Sequence, residues 1–273
     1  MVLVVAYRSD DHLAACLAGL GDGADVLVVD NGASDATRRI VSDYGAGYLA
    51  TPVNVGFAAA VNVGLDKAWD GRRDVLLLNP DARVGADDVA SLQDALHAPW
   101  TRRAAVGPHL VGLDGRTQRP DWPLPSPGQV WFDALGIGGL WRGRRFVVGA
   151  VLLVNGAALA ELGRLDERYF LYAEEADWQA RAQRAGWTVA VVDGVVATHT
   201  GGASSTDPAL RDRQFLASGD AFARRWYGRV ARRSMRIGSV IAAARRSVFG
   251  SMESRRVNRR LLRIYLRGVD QAA

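Results

Sequence analysis

Residues 170–181, FLYAEEADWQAR, place three carboxylates at what the pattern predicts to be the start of a helix. A positioned carboxylate can take a proton from a hydroxyl, so one of them could be the general base of a group-transfer reaction. Helical spacing places Glu174 and Asp177 on one face and lets Asp177 pair with Arg181, whereas Glu175 points about a quarter turn away. Acidic residues also favour a helix N-terminus through the helix dipole, and this explains Asp177 and Glu174 in part without any chemistry.

Further chemistry-bearing residues follow three apolar runs near the N-terminus. These positions are Ala6, Tyr7 and Arg8 after the first run, Asp30 and Asn31 after the second, and Asn79 and Asp81 after the run at 75–78. Turn formation or helix capping would explain any one of these residues about as well as a role in ligand binding would. If the runs are parallel strands, however, their carboxyl ends meet at one edge of a sheet, where ligands of such sheets bind.

The elements that must position these residues alternate along the first 98 residues. Strands are predicted at 2–7, 26–30, 48–50 and 75–78, and helices at 12–20, 35–44 (capped by Ser34), 57–69 and 86–96. This β-α-β-α order with apolar strands predicts an α/β fold, a mostly parallel sheet flanked by helices on both faces.

The pattern changes after residue 98. Six of the nine prolines and four tryptophans fall within 99–145, which predicts a long irregular insertion, with 115–142 as a candidate lid. Regular structure is expected again as a strand at 146–154, helices at 157–162 and 174–186, and a strand at 188–192. The predicted organisation is one domain over 1–223, divided at 98 and 145, followed by a tail over 224–273.

Composition bounds the function. The single cysteine, Cys16, excludes a disulfide framework and is expected in the core. No segment reads as a signal peptide or as a membrane-spanning helix. The tail 224–273 holds 14 arginines and two acidic residues, whereas 1–223 holds 20 basic and 27 acidic residues. With apolar residues interleaved, the tail predicts a basic amphipathic helical extension that binds an anionic membrane surface. Nucleic acid is the rival partner, but no nucleic-acid-binding signature accompanies the arginines.

Six segments in order resemble a known family. They are VVAYRS, VVDNGASD, NVGFAAAVNVGL, LLLNPDA, LDERYFLYAEEADWQARAQRAGW and the later VATHTGGASS. The first strand is followed by AYRSDD rather than G-x-G-x-x-G, so a nicotinamide-dependent dehydrogenase is a poor alternative. Over about residues 1–220 the chain resembles an inverting family 2 glycosyltransferase of the GT-A fold, a Rossmann-like α/β architecture. Within that family it is most similar to bacterial rhamnosyltransferases that extend polyprenyl-diphospho-N-acetylglucosamine.

The resemblance implies a site for a nucleoside-diphosphate sugar, with 1–98 as the nucleotide-binding half and 146–223 as the acceptor and catalytic half. Asp30 matches the acid that recognises a nucleobase N–H, and Tyr7 the place of base stacking or backbone contact. The remaining donor-site residues implied are Ala6, Arg8, Asn31, Asn54, Gly56, Asn62, Asn79 and Asp81. Gly56 would let the backbone approach closely, whereas Asn62 could equally be a buried packing amide.

A divalent cation is also implied. The family's D-x-D motif is Asn79-Pro80-Asp81 here, so only Asp81 supplies a carboxylate, and His199 matches a histidine that completes the metal site in relatives. A hard cation such as Mg²⁺ needs only one or two protein carboxylates beside phosphate oxygens, and a histidine ligand also admits Mn²⁺. Taken alone, His199 could be a hydrogen-bonded loop histidine.

The family's E-D-x-D motif becomes EEAD, and its second acid, the usual base, becomes Glu175; Glu174 and Asp177 stay as alternatives. The resemblance implies transfer of a sugar, L-rhamnose from dTDP-L-rhamnose, onto a lipid-diphosphate-linked sugar in cell-wall or surface polysaccharide synthesis. The enzyme would be cytoplasmic and peripheral on the inner face of the cell membrane. Glucosyl, galactosyl, galactofuranosyl or mannosyl donors, or a catalytically silent nucleotide-sugar-binding scaffold, remain alternatives.

Overall fold

The computed structural model describes residues 1–201 and 208–267. Residue 267 is described by its backbone alone. The described chain forms two units. The first comprises Met1–Trp122, Arg145–Phe170 and the described part of Glu174–Thr206; the second comprises Pro123–Arg144, Leu171–Ala173 and the described part of Asp207–Ala273. The end of the VATHTGGASS segment and the last six residues of the predicted tail lie outside the described residues.

The elements follow one another with frequent alternation of strand and helix. The strands are β1 (Val2–Ala6), β2 (Val26–Asp30), β3 (Gly47–Ala50), β4 (Val75–Leu78), β5 (Ala82–Arg83), β6 (Arg103–Val111), β7 (Thr117–Gln118), β8 (Asp121–Pro123), β9 (Arg145–Val147), β10 (Val151–Val154) and β11 (Thr188–His199). The helices are α1 (Asp10–Gly19), α2 (Asp35–Asp43), α3 (Phe57–Ala68), α4 (Ala86–Leu96), α5 (Pro127–Ala134), α6 (Gly156–Leu162), α7 (Glu174–Arg184), α8 (Pro208–Trp226), α9 (Arg229–Phe249) and α10 (Met252–Arg267).

The first unit is built on a mixed sheet in the order β3-β2-β1-β4-β10-β6-β11-β5, with β7 paired to β6. The first four strands of this order are parallel to one another, so their carboxyl ends lie at one edge, as the sequence predicts. Strand β10 then runs antiparallel to β4. The predicted α/β class with helices on both faces is confirmed.

Helices cover both faces of this sheet because its strands are apolar on both sides. In β1, Val2 and Val4 pack into a core with α1, α2 and α4, while Leu3 and Val5 pack into a second core with α3, α6 and α7. Successive side chains of a strand point to opposite faces, so a continuous apolar run is buried twice. Cys16 lies in the first core, where burial raises the pKa of its thiol to about 12, and it is therefore inert.

The interpretation of 99–145 as an irregular insertion was wrong in its first part. Residues Arg103–Val111 form β6, a strand near the middle of the sheet. Pro108 hides this strand in the sequence, because proline cannot donate a ladder hydrogen bond. The strand tolerates Pro108 because the neighbouring β11 has a register shift between Val191 and Val196, directly opposite. Two further strand predictions changed: 146–154 is broken into β9 and β10, and β11 runs on to His199.

The second unit consists of α5, a 3₁₀ turn at Gly138–Leu140 and the three C-terminal helices. Its helices pack through small residues and polar contacts: Val130 lies against Gly238, and the indole N–H of Trp131 donates to Ser234 Oγ at 2.8 Å. Arg260 of α10 pairs with Asp212 of α8.

The predicted boundary between 223 and 224 falls inside α8, so the basic tail is not separate from the residues that precede it. Within the second unit, the aromatic Trp131 of the predicted insertion contacts α9 at Ser234 and Gly238. None of the helices in the described part of the chain is long and apolar enough to cross a membrane.

Candidate active site

Asp81 and His199 meet at one edge of the sheet. Asp81 follows β4, and His199 is the last residue of β11, which pairs with β5 directly after Asp81. The imidazole Nε2 lies 3.6 Å from Asp81 Oδ1, and both side chains are largely buried. Asp81 is held from its other side, because its Oδ2 accepts a hydrogen bond from the Gly201 N–H at 3.1 Å. The structure therefore brings together the two residues that the sequence proposes for a metal.

Two donors from the chain suit a cation that completes its shell with other oxygens. No group of three or more His, Cys, Asp or Glu side chains within 1–201 and 208–267 could hold a metal ion alone. One carboxylate oxygen and one imidazole nitrogen nevertheless match the mixed ligands that Mn²⁺ accepts. Mg²⁺ likewise binds through one or two carboxylates plus phosphate oxygens and waters. The site fits a divalent cation that arrives with a diphosphate.

Glu174 and Glu175 open α7, and one oxygen of each carboxylate lacks a hydrogen-bond partner among the described residues. Glu174 is 4% exposed, and the two oxygens are the buried Oε2 atoms. Burial raises the pKa of both carboxyls, and the charge of Glu175 raises that of Glu174 further. The backbone N–H groups of Ala176 and Gly149 oppose the rise at Glu175. A carboxylate with a raised pKa is a stronger base, as proton abstraction requires.

Asp177 has a structural setting instead. It is fully buried, and its Oδ2 accepts from Arg181 Nε at 3.1 Å while its Oδ1 accepts from the Tyr169 hydroxyl at 3.3 Å. The sequence predicted this pairing with Arg181. Because both oxygens are held by positive or polar donors, Asp177 is the least accessible of the three carboxylates to an acceptor hydroxyl.

The turn between β9 and β10 links Glu175 to the Asp81 side of the site. Gly149 lies against the Glu175 side chain: a β-carbon added at Gly149 would lie 3.6 Å from Cγ of Glu175. The next residue, Ala150, accepts a hydrogen bond from the Asn79 N–H at 2.9 Å. Glu175 and the Asn79–Asp81 turn therefore flank the same two residues of backbone.

Asp30 and Asn31 organise the end of β2. Asp30 is 1% exposed, and its Oδ2 accepts from the Ser34 N–H at 2.7 Å and from the Tyr48 hydroxyl at 2.8 Å. The amide of Asn31 uses its whole hydrogen-bonding capacity inside the protein, with two bonds from Nδ2 and two to Oδ1.

The network of Asn31 orients Asn54. Asn54 Oδ1 accepts from Asn31 Nδ2 and from the Gly56 N–H, both at 3.0 Å. This geometry turns the Asn54 Nδ2 group away from both donors, and among the described residues no acceptor meets it. Asn54 therefore presents a fixed donor, whereas the amide of Asn31 has no capacity left for a ligand.

Residues after β1 are placed as follows. Ala6 is fully buried, and its carbonyl accepts from the Asn31 N–H at 2.7 Å. The Tyr7 ring lies over Gly32, where a β-carbon would come within 3.2 Å of it, and the Arg8 guanidinium lies 5.3 Å from the ring centroid. Glycine at 32 therefore leaves room for the flat face of Tyr7 beside the end of β2.

Gly56 and Asn62 serve the packing of the segment before α7. A β-carbon at Gly56, whose φ is +89°, would lie 2.6 Å from the Phe170 carbonyl oxygen, so the chain segment that approaches is Phe170. Asn62 is 5% exposed and donates to the Leu165 carbonyl and to Glu167 Oε1 while accepting from the Leu165 N–H. The packing interpretation explains Asn62; a donor contact by either residue stays a prediction.

Comparison with known proteins identifies the family. Residues 1–135 match the family model for glycosyl transferase family 2. The chain is 30% identical to the N-acetylglucosaminyl-diphospho-decaprenol L-rhamnosyltransferase of Mycobacterium tuberculosis, over 76% of this chain and 78% of that protein. The chain belongs to glycosyltransferase family 2.

Solved structures agree on the fold of this family 2 member. The mannosyltransferase of Pyrobaculum calidifontis, solved with GDP-Man and Mn²⁺, has a TM-score of 0.60 at 15% identity and covers 99% of this chain and 85% of its own. Glucosyl-3-phosphoglycerate synthase of Mycobacterium tuberculosis, solved with Mn²⁺ and UDP, has a TM-score of 0.55 at 15% identity, with coverage of 82% and 78%. The GT-A fold predicted from the motifs is confirmed.

Two residues that contact members of the candidate site were missing from the sequence prediction. Gln118 bonds to His199 with both ends of its amide, and Gly149 bonds to Glu175. Both partners are remote in sequence. Gln118 lies in the segment 106–127, which also resembles the rhamnosyltransferases, but no residue type or spacing there indicates a contact with His199.

Proposed function

We propose that this family 2 glycosyltransferase moves L-rhamnose from dTDP-L-rhamnose onto a sugar linked to a polyprenyl diphosphate, with inversion at the anomeric carbon. The observation that carries the transferase chemistry is the Glu175 carboxylate, whose buried Oε2 has no hydrogen-bond partner in the described part of the chain and whose pKa is raised. The choice of rhamnose and of the lipid acceptor is supported by the relative that is 30% identical.

In the proposed reaction, Glu175 accepts the proton of the acceptor hydroxyl as that oxygen attacks the anomeric carbon. The bond between this carbon and the phosphate oxygen breaks, and the nucleoside diphosphate leaves with the electron pair. Burial disfavours the ionised form of Glu175 and so raises the pKa of its carboxyl, which keeps the base strong. The attack and the departure occur on opposite faces of the sugar, so no nucleophilic side chain is needed.

Asp81 and His199 would hold a divalent cation, Mg²⁺ or Mn²⁺. When bound, such a cation would offset the negative charge that grows on the departing diphosphate. The chain itself supplies a fixed pair of donors, and Asn54 supplies an amide N–H for a phosphate or sugar oxygen. Asp30 and Tyr7 would bind the nucleobase, and Asn79 would contact the diphosphate.

We also propose that the second unit binds an anionic membrane surface, where a polyprenyl-linked acceptor resides. Four exposed apolar side chains of α9 share one face of the helix, because their spacing of seven, four and seven residues keeps them within about 40° of one another. They are Val230, Ile237, Ile241 and Val248, which are between 42% and 82% exposed. An apolar stripe on an arginine-rich helix is typical of interfacial helices, and each basic residue adds about 1 kcal/mol near an anionic surface.

Calorimetric titration with nucleotide sugars, in Mn²⁺ or Mg²⁺ and with chelator, tests the donor assignment. Metal-dependent binding of dTDP-L-rhamnose above UDP- and GDP-sugars is expected, followed by transfer to a GlcNAc-diphosphate-lipid analogue. Preference for a glucosyl, galactosyl or mannosyl donor would replace the rhamnosyl assignment. Donor binding without transfer to any acceptor would indicate a silent scaffold instead.

A further inference from the structure

The side chain of Gln118 forms two hydrogen bonds to His199. Its Nε2 donates to the His199 backbone carbonyl at 2.6 Å, and its Oε1 lies 3.0 Å from the imidazole Nδ1. Gln118 is the second residue of β7, whose pairing with β6 sets its position opposite Leu110. Strand β6 also pairs with β11 just before His199, so one strand aligns both partners.

This double contact determines which ring nitrogen carries the proton. A backbone carbonyl can only accept, so the Gln118 atom that faces the His199 carbonyl must be the amide nitrogen. The amide oxygen then faces Nδ1, and because this oxygen also only accepts, neutral His199 must carry its proton on Nδ1. The other ring nitrogen, Nε2, keeps its lone pair.

The lone pair points toward Asp81. Nε2 lies 3.6 Å from Asp81 Oδ1, and the opposite oxygen of that carboxylate is occupied by the Gly201 N–H. Two acceptors that face one another at this distance leave a place for a positive charge. If His199 carried its proton on Nε2 instead, that N–H would face the Asp81 carboxylate and the nitrogen would be lost as a ligand.

We propose that Gln118 is a positioning residue that locks His199 into the tautomer able to bind a metal. The proposal rests on the metal role of Asp81 and His199 in the proposed function, and it assigns Gln118 no contact with the cation or with the sugar. Hydrogen-bonded partners of metal-binding histidines fix the ring and the tautomer in this way, and their loss weakens metal binding roughly 10–100-fold.

The test compares Gln118→Met with wild type in two measurements. In metal-free protein, ¹⁵N NMR of the histidine ring nitrogens should show His199 with its proton on Nδ1 in the wild type, and a mixture or the opposite tautomer in Q118M. Binding of Mn²⁺ in the presence of dTDP, followed by electron paramagnetic resonance of free Mn²⁺, should weaken roughly 10–100-fold in Q118M. Gln118→Glu retains an acceptor for the Nδ1–H and should keep the wild-type tautomer.

Thr117→Val is the matched control, because it alters the exposed neighbour of Gln118 on the same short strand. It should leave both the tautomer and Mn²⁺ binding unchanged. The proposal is overturned if Q118M keeps the Nδ1–H tautomer, or if it changes tautomer while binding Mn²⁺ as the wild type does. If the wild type binds no Mn²⁺ with any nucleotide, the metal role in the proposed function fails. The tautomer measurement still decides whether Gln118 fixes the tautomer of His199.

Discussion

The Nε2 atom of His199 lies 3.6 Å from Oδ1 of Asp81, and antiparallel pairing of β11 with β5 holds the two residues there. One edge of the sheet therefore brings the turn after β4 and the end of β11 together. A histidine and a carboxylate so placed are better explained by a shared ligand than by an isolated loop histidine, and this leads to the first prediction.

His199→Ala should abolish the metal-dependent part of donor binding. The loss in Mn²⁺ affinity should exceed the roughly 10–100-fold expected for an outer-shell partner, because a direct ligand is removed. Calorimetry of Mn²⁺ with dTDP gives the affinity. His109→Ala is the control, since His109 is exposed and pairs with the exposed Asp193; equal losses in both variants would remove His199 from the metal site.

Glu175→Gln should lower kcat by roughly 10²–10⁴-fold, the usual contribution of a general base. Donor affinity should stay close to that of the wild type, because the base acts on the acceptor hydroxyl. Initial rates of nucleoside diphosphate release, together with donor calorimetry, separate the two quantities. A variant that keeps its kcat would move the role of base to Glu174.

Asp177→Asn should act through stability rather than chemistry. It removes the charge that pairs with Arg181 in a fully buried position, so the free energy of unfolding should fall by about 1–3 kcal/mol. Urea unfolding measures this loss, and folded Asp177→Asn should retain most of its kcat. A fall in kcat as large as that of Glu175→Gln, in a folded protein, would contradict the structural role.

Glu174 should make the protein less stable as the pH rises. Its pKa is raised by burial and by Glu175, so between the ordinary value of 4.5 and the folded-state value the native chain holds a proton that the unfolded chain has released. The free energy of unfolding contributed by this group is therefore present at low pH and is lost as the pH rises through that interval. Glu174→Gln should reduce this slope and raise Tm at neutral pH, as thermal unfolding at several pH values would show. Asp11→Asn, at an exposed carboxylate, should leave the slope as it is.

Gly56→Ala should destabilise the first unit by more than backbone strain alone. At φ +89° and ψ 165° the backbone of Gly56 lies in a region essentially restricted to glycine, which costs another residue about 1–3 kcal/mol, and the new methyl group would also collide with the Phe170 carbonyl. Gly71→Ala is the control for a positive φ without a collision, because Gly71 has a φ of +81° with nothing within 4 Å of the added carbon. Urea unfolding should show a larger loss in the free energy of unfolding for Gly56→Ala than for Gly71→Ala. Equal losses would mean that the Phe170 segment moves away from the added methyl group without a cost in stability.

Ile237→Asp should weaken binding of the protein to vesicles that contain anionic lipid. The substitution places a charge within the exposed apolar stripe of α9, where the proposed membrane contact is made. Sedimentation with phosphatidylglycerol vesicles measures the bound fraction. Leu113→Asp, at a 60% exposed position in the first unit, is the control and should bind as the wild type does. Unchanged binding by Ile237→Asp would leave the arginines alone as the membrane contact.

The sequence by itself determined the α/β class, the parallel strands β1 to β4 and the strand-end positions of Asp30 and Asp81. It could do so because alternation of apolar runs with helical spacing is a local signal. It also picked out the carboxylates of α7 and the pairing of Asp177 with Arg181, since both depend only on helical periodicity.

The tertiary structure alone decided which of these residues could act. Strand β6 is hard to predict because it contains Pro108. The irregular register of β11 opposite this residue makes a proline acceptable in the middle of a sheet. The partner of Gly56 proved to be Phe170, and the partner of His199 proved to be Gln118. Such pairs are remote along the chain, and their contact is set by packing and strand register, which residue types and spacing do not encode.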